Sequence, residues 1–273
     1  MSYTTLLVYV DAGEQADAAV RVAAALADRF NATLIGLSAL ELRPPVVTNG
    51  FVLPETVEAD IDRIRAKLAD KGIWFRSLAD ADRRKLEWRS LLDLPVDALA
   101  RQARCADLIV IRRAGRSTDP YSALDPGGAV LKVGRPVLVV PDGISALRGE
   151  HVVIGWTDRR EARRAVQDAL PFLHEAERVT IVEICGEGEE EAAQRRMDDV
   201  ARYLARHRIN GGPRVILHQH GSGAAALIKL AQEEGADLLV TGAYGHSRLG
   251  EWIFGGVTRD LLAASPICCL MSH

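Results

Sequence analysis

The sequence predicts an α/β protein of two tandem doubly wound domains, each built on a five-stranded parallel sheet, and three observations predict it. The first is an internal repeat. "ADLIVIRRAGRSTDPYSALDPGGAVLKVGRPVLVV" at 106–140 lies over "ADLLVTGAYGHSRLGEWIFGGVTRDLLAASPICCL" at 236–270 without a gap, at a constant offset of 130. The halves also begin alike, with "LLVYVDAGEQADAAV" from Leu6 and "VVIGWTDRREARRAV" from Val152. The second is the alternation of short β-rich runs with helical patterns. The runs fall at 4–10, 33–40, 84–89, 106–111 and 136–140, and again at 152–156, 178–185, 213–219, 236–241 and 266–271. The third is the helix periodicity between them: Val22, Leu26 and Phe30 recur at i, i+4, i+8, and Ala224, Leu227, Ile228 and Ala231 at i, i+3, i+4, i+7. Such alternation builds βαβ units with right-handed crossovers and a parallel sheet covered on both faces. "PDGISALRGE" at 141–150 is the natural linker, so the domains are expected at 1–143 and 150–273. The charged segments 55–72 and 187–208 read as solvated helix faces.

Composition narrows the function classes. Of 273 residues 48% are apolar and 26% charged, the balance of an ordinary globular chain. A formal charge of −3 gives no basic footprint for nucleic acid. The four cysteines, Cys105, Cys185, Cys268 and Cys269, contain no C-x-x-C, so neither a disulfide framework nor a zinc knuckle is expected. No segment reaches the roughly 18 uncharged apolar residues of a membrane span. A cytoplasmic protein without a membrane or nucleic-acid partner is the expectation.

The chemistry is expected at "TGAYGHSRLGEWIFGGVT", 241–258, which holds five glycines in eighteen residues just after the apolar run "ADLLV". In an open parallel sheet ligands sit beyond the carboxyl ends of the strands. Glycine permits φ > 0 and lets an incoming group touch the backbone, so Gly242 and Gly245 read as a loop facing a cavity. Gly255 and Gly256 precede "VTRDLLAAS", and a glycine pair at a helix N-terminus offers free N–H donors and the positive dipole end to an anion. The bland reading of the same glycines is a tight turn with a close helix–strand contact. No G-x-x-x-x-G-K-[ST] is present, and "GSGAAA" at 221–226 lacks the acidic residue expected about 20 positions on for a dinucleotide.

The spacing Gly242-x2-Gly245-x9-Gly255 resembles the G-x2-G-x9-G-[ST] nucleotide signature of the universal stress proteins, and "VTIVEI", "EEGADLLVTGAYG" and "SPICCLM" sit where that family places its strands. The resemblance covers the whole chain as two tandem copies. It implies strand order 3-2-1-4-5 in each half, pairing of the halves through the last strands as an intramolecular pseudo-dimer with room for a further homodimer, and a family divided into members that hold ATP and members that do not. Carried over by position, the phosphate loop falls on Gly242, Gly245 and Gly255, with Gly256 in place of the signature's hydroxyl residue and Val257, Thr258 and His246 beside it. The acidic residue that meets the adenosine part falls on Asp11 in the first half. In the second half Thr157 takes that place, with Asp158 one residue later, and the backbone contact to adenine falls near Ile184. The first half puts Arg112 where Gly242 stands and Asp125 where Gly255 stands, leaving Gly115 to match Gly245 and Gly127 and Gly128 to start the helix. The first half is therefore expected not to bind.

His218 and His220 in "LHQH" share one side of a strand, but no further ligand converges on them, so no metal site is expected. No G-x-S-x-G, H-E-x-x-H or paired carboxylate marks a catalytic centre. The expected function is an adenine-nucleotide-binding module of the stress response, holding ATP in its second half, with or without magnesium. The alternatives are a scaffold or small-ligand carrier without nucleotide and, third, a slow ATPase using His246.

Overall fold

The computed structural model describes residues 2–13, 17–43, 54–80, 85–113, 119–217, 222–245 and 256–273. The first half runs β1 (Thr5–Tyr9), α1 (Asp17–Phe30), β2 (Thr33–Leu40), α2 (Pro54–Leu78), β3 (Leu86–Leu92), α3 (Pro95–Gln102), β4 (Leu108–Arg112), α4 (Pro126–Lys132) and β5 (Val137–Val140). The second repeats it as β6 (His151–Trp156), α5 (Arg160–Asp168), the short α6 (Leu170–Leu173), β7 (Arg178–Cys185), α7 (Glu190–Arg206), β8 (Gly211–Leu217), α8 (Gly223–Glu233), β9 (Leu238–Gly242), α9 (Gly256–Ala264) and β10 (Cys268–Ser272). The offset of 130 survives in three dimensions, since β4 and β9, and the first residues of α4 and α9, are each 130 apart.

The strands form one ten-stranded sheet of order β3-β2-β1-β4-β5-β10-β9-β6-β7-β8, two 3-2-1-4-5 halves joined back to back. Every pairing is parallel except the central one, where β10 runs antiparallel to β5 with Leu270 opposite Leu138. Each half thus covers the last strand that the other would leave as an open edge. The sheet is buried on both faces by two apolar clusters, one under α1, α2, α5, α6 and α7, the other under α3, α4, α8 and α9, and each cluster draws residues from both halves. Strands shielded on both sides need continuous apolar runs, which is what "LLVYV" and "LLV" supply.

A three-ring cluster fastens the halves on the first face. Phe172 of α6 meets Phe30 at 5.5 Å and Tyr3 at 5.6 Å between ring centroids, and Tyr3 meets Phe30 edge-on at 5.2 Å. The Tyr3 hydroxyl donates to the Asp168 carbonyl at 2.5 Å, and Arg29 pairs with Glu175 across the same seam. Within the first half, Asp107 accepts from the Thr4 and Thr5 backbone N–H groups and from the Thr4 hydroxyl, locking the entry of β4 to that of β1. Burial pushes this carboxyl up, but those hydrogen bonds and the charge of Arg135 outweigh it and hold Asp107 below the usual carboxylate range. Among the described residues no helix is long and apolar enough to cross a membrane.

Candidate functional site

The order 3-2-1-4-5 reverses direction between β6 and β9 in the second half, because the helix after β6 lies on one face and the helix after β9 on the other. The crevice beyond the carboxyl ends of these two strands is where an open α/β sheet receives a ligand. Around it the structure gathers the end of β6 with Thr157 and Asp158, the end of β7 with Ile184, the N-termini of α8 and α9, and the start of the glycine loop.

Gly242 closes β9, and its missing side chain is filled by helix α5. A Cβ there would lie 2.5 Å from the Ala162 nitrogen and 2.6 Å from the Glu161 carbonyl carbon. The close approach is therefore between helix and strand, as in the bland reading of this glycine. Gly245 faces the same helix turn: a Cβ would lie 3.0 Å from Glu161 Oε2 and 3.7 Å from the Arg159 Cβ. Glu161 is buried. Burial pushes its carboxyl up, but the 2.5 Å hydrogen bond from Arg160, its own backbone N–H and the charges of Arg160 and His273 outweigh this and keep it below the usual range. Of the arginines opening α5, Arg160 is tied to Glu161, Arg163 to Asp158 and Arg164 to Asp168. Arg159 has no such partner among the described residues and stands exposed beside Gly245.

Across the crevice, Val257 and Ile184 converge on Gly223, whose Cβ would lie 3.2 Å from Val257 Cγ2 and 3.7 Å from Ile184 Cδ1. Val257 is 40% exposed, so this apolar wall reaches solvent. Ser222 caps α8 by accepting from the Ala225 N–H, while α9 has no acidic residue in its first turn and, among the described residues, nothing within 4 Å of where a Gly256 side chain would go. The buried Thr258 hydroxyl accepts from the Tyr244 N–H at 3.2 Å, which ties the start of the loop to α9. Thr157 and Asp158 are exposed at the rim, and Asp158 is turned to Arg163 at 2.8 Å. His246 and Gly255 lie outside the described residues, as do Gly115, His218 and His220. No cluster of three or more metal-ligating side chains occurs among the described residues.

Two residues that sequence reasoning missed sit at the reversal point. Gly155 and Thr241 are paired across β6 and β9, and Thr241 Oγ1 is buried with no hydrogen-bond partner among the described residues. Native proteins rarely leave such a group unpaired. The repeat pairs Gly155 with Tyr9 and Thr241 with Ile111, and that comparison was the signal available in the sequence.

The same place in the first half is filled. Tyr9 is buried and its hydroxyl donates to the Ala39 carbonyl at 3.1 Å, the backbone position equivalent to Ile184. Arg112 turns away to Asp142. Asp125 is the N-cap of α4, and its carboxylate accepts from the Gly127 and Gly128 N–H groups at 3.2 and 2.8 Å. The donors that would meet a phosphate already hold an anion of the chain's own. Asp11 stays at the end of β1, half-buried.

Fold and site together define a class: a tandem pair of doubly wound α/β domains with a glycine loop at the reversal point of the second. The family model described as the universal stress protein family matches residues 2–120 and 149–273, and the chain belongs to that family, with two such domains in tandem. A universal stress protein from Archaeoglobus fulgidus DSM 4304 is 14% identical with a TM-score of 0.73, over 98% of this chain and 97% of that chain. A functionally unknown protein from Pseudomonas aeruginosa PAO1 is 13% identical with a TM-score of 0.60, over 99% and 92%. A universal stress protein solved in complex with cAMP is 26% identical with a TM-score of 0.36, over 52% of this chain and 98% of its own. The two full-length likenesses show the fold. No curated protein matches the chain.

Proposed function

We propose that the chain is a stress-response binding module whose second half holds one adenine nucleotide, ATP in the first instance, while the first half holds none. The observation that carries this reading is the Thr241 hydroxyl beside Gly155, buried without a partner among the described residues, at a point where the first half has Ile111 and Tyr9. A polar atom buried without a partner is costly, and a ligand that pairs with it recovers that cost on binding. Three further features support the reading. The first turn of α9 carries no acidic side chain, so its dipole and N–H groups would favour a phosphate there. Val257 and Ile184 form an apolar wall for a flat base. Arg159, which has no ion-pair partner among the described residues, supplies a cation beside the loop, against the charge of Glu161 that Arg160 already offsets. The carboxylates Asp158 and Glu161 are both engaged with arginines, so any magnesium would arrive held by the phosphates.

The missing hydroxyl at Gly256 removes one hydrogen bond to a charged group, worth about 1.5–3 kcal/mol, so binding of about micromolar strength is expected. A scaffold without nucleotide is the second reading, and Gly242 favours it, because that glycine is occupied by α5. Thr241→Val separates the two. On the nucleotide reading it leaves stability unchanged or raises it by up to ~1 kcal/mol, since an unpaired hydroxyl disappears, and weakens ATP about five- to tenfold. Calorimetric titration and thermal unfolding of the two proteins read both effects. Higher stability with unaltered ATP binding, or no ATP binding by the parent, sinks the reading.

A further inference from the structure

The loop that follows β9 does not stand on its own half alone. Tyr244 adopts φ +59°, the left-handed region that a bulky aromatic residue rarely enters. Its N–H donates to the Thr258 hydroxyl, and the neighbouring Ala243 is held from both sides, its N–H donating to the Ser272 carbonyl at 2.8 Å and its carbonyl 3.1 Å from His273 Nδ1. The Tyr244 ring meets His273 edge-on at 6.4 Å and then crosses the seam between the halves. Its hydroxyl ends at α4 of the first half, where a Cβ on Gly127 would lie 2.6 Å from Tyr244 Oη.

That contact explains a glycine the helix itself does not want. Gly127 sits in the first turn of α4, where a side chain is ordinarily preferred over glycine, and the repeat has Val257 at the equivalent place in α9. Both neighbours of the contact are fixed. The Asp125 carboxylate holds the N–H groups of Gly127 and Gly128, so the helix end cannot recede without losing its cap. On the other side, the Tyr244 backbone is tied to α9 through Thr258. Burial and the charge of Asp125 raise the Tyr244 phenol above its ordinary pKa, which keeps the hydroxyl neutral at the seam.

We propose that the degenerate first half positions the glycine loop of the second: the Tyr244 hydroxyl seats against Gly127 on the Asp125-capped end of α4, and this seat holds the left-handed turn that aims Ala243–Gly245 at the crevice. Tyr244 is a positioning residue, and Gly127 is its seat rather than a remnant of a phosphate cradle. The loop geometry stands without any ligand; its consequence for affinity rests on the nucleotide reading above.

The test uses the full-length, ligand-free protein and the variants Gly127→Ala, Tyr244→Phe and the two combined. Alanine suits the first turn of a helix better than glycine, so Gly127→Ala leaves α4 formed and acts through the clash with the hydroxyl. Hydrogen exchange at the Tyr244 amide is expected to rise about tenfold in Gly127→Ala, a coupling of the size that touching residues show, to rise also in Tyr244→Phe, which empties the seat, and to return to about the parent rate in the double variant, where the alanine methyl fills the space the hydroxyl left. ATP affinity should fall and recover in step. Exchange at Tyr244 that ignores Gly127→Ala, that rises equally throughout both halves, or that stays fast in the double variant overturns the proposal. If the parent binds no ATP, the nucleotide reading fails and the exchange result still decides this one.

Discussion

Phe172→Ala is expected to lower the stability of both halves together by about 3–5 kcal/mol, the range for deleting a buried aromatic ring, with the midpoint of thermal unfolding falling by roughly 10 °C. The ring belongs to the second half, yet two of its stacking partners, Phe30 and Tyr3, belong to the first. Its removal opens a cavity between the halves, beside the Tyr3 hydroxyl's bond to Asp168 and the Arg29–Glu175 pair. Because β5 and β10 also make one sheet of ten strands, the loss should not be confined to one side. Denaturant unfolding checks this with Trp74 and Trp88 reporting on the first half and Trp156 on the second. A single transition displaced as a whole is the expected result; a first half that unfolds at its parental midpoint while the second moves would show that the halves are independent domains.

Gly242→Ala should cost about 1–3 kcal/mol, although alanine is ordinarily the better residue inside secondary structure. The added methyl would meet the backbone of Glu161 and Ala162 at distances no side-chain rotation can relieve. Helix α5 would have to lift from β9, carrying Glu161 away from Gly245 and opening the floor of the crevice. Circular dichroism melts of the variant give the cost directly. An unchanged melting temperature would mean that α5 does not press on the strand end, and the packing role assigned to this glycine would be wrong.

These two residues also mark how far the sequence can be read. The strands and their parallel direction were legible because short β-rich runs alternate with helix-period segments, while the order 3-2-1-4-5 was what the family resemblance implied; the repeat set the equivalences to the residue, and β4 and β9 keep the offset of 130. Strand ends were less legible. β3 extends to Leu92 because its ladder with β2 runs on through the polar Arg89 and Ser90, and β9 includes Gly242 because its ladder with β10 continues past the last apolar residue. The site was legible as a place but not as a set of contacts. Glycine is written as an absence, and the sequence does not say what fills it. At Gly242 it is a helix backbone, and at Gly127 the hydroxyl of a tyrosine from the other half. By position Asp125 only replaces Gly255 of the phosphate loop; the structure shows its carboxylate bonded to the N–H groups of Gly127 and Gly128, a relation that exists only once α4 is formed. The contrast of Tyr9 with Gly155 was present in the repeat all along, but its meaning needed the Ala39 carbonyl, thirty residues away in sequence and 3.1 Å away in space.

The central claim, one nucleotide site per chain in the second half, is tested most directly by photolabelling the full-length protein with 8-azido-ATP and mapping the modified peptides. The account predicts one label per chain, displaced by ATP, on peptides of 150–273 that carry Ile184 or Val257. Label on the peptide that carries Tyr9 or Ala39, two labels per chain, or label that ATP fails to displace would contradict it.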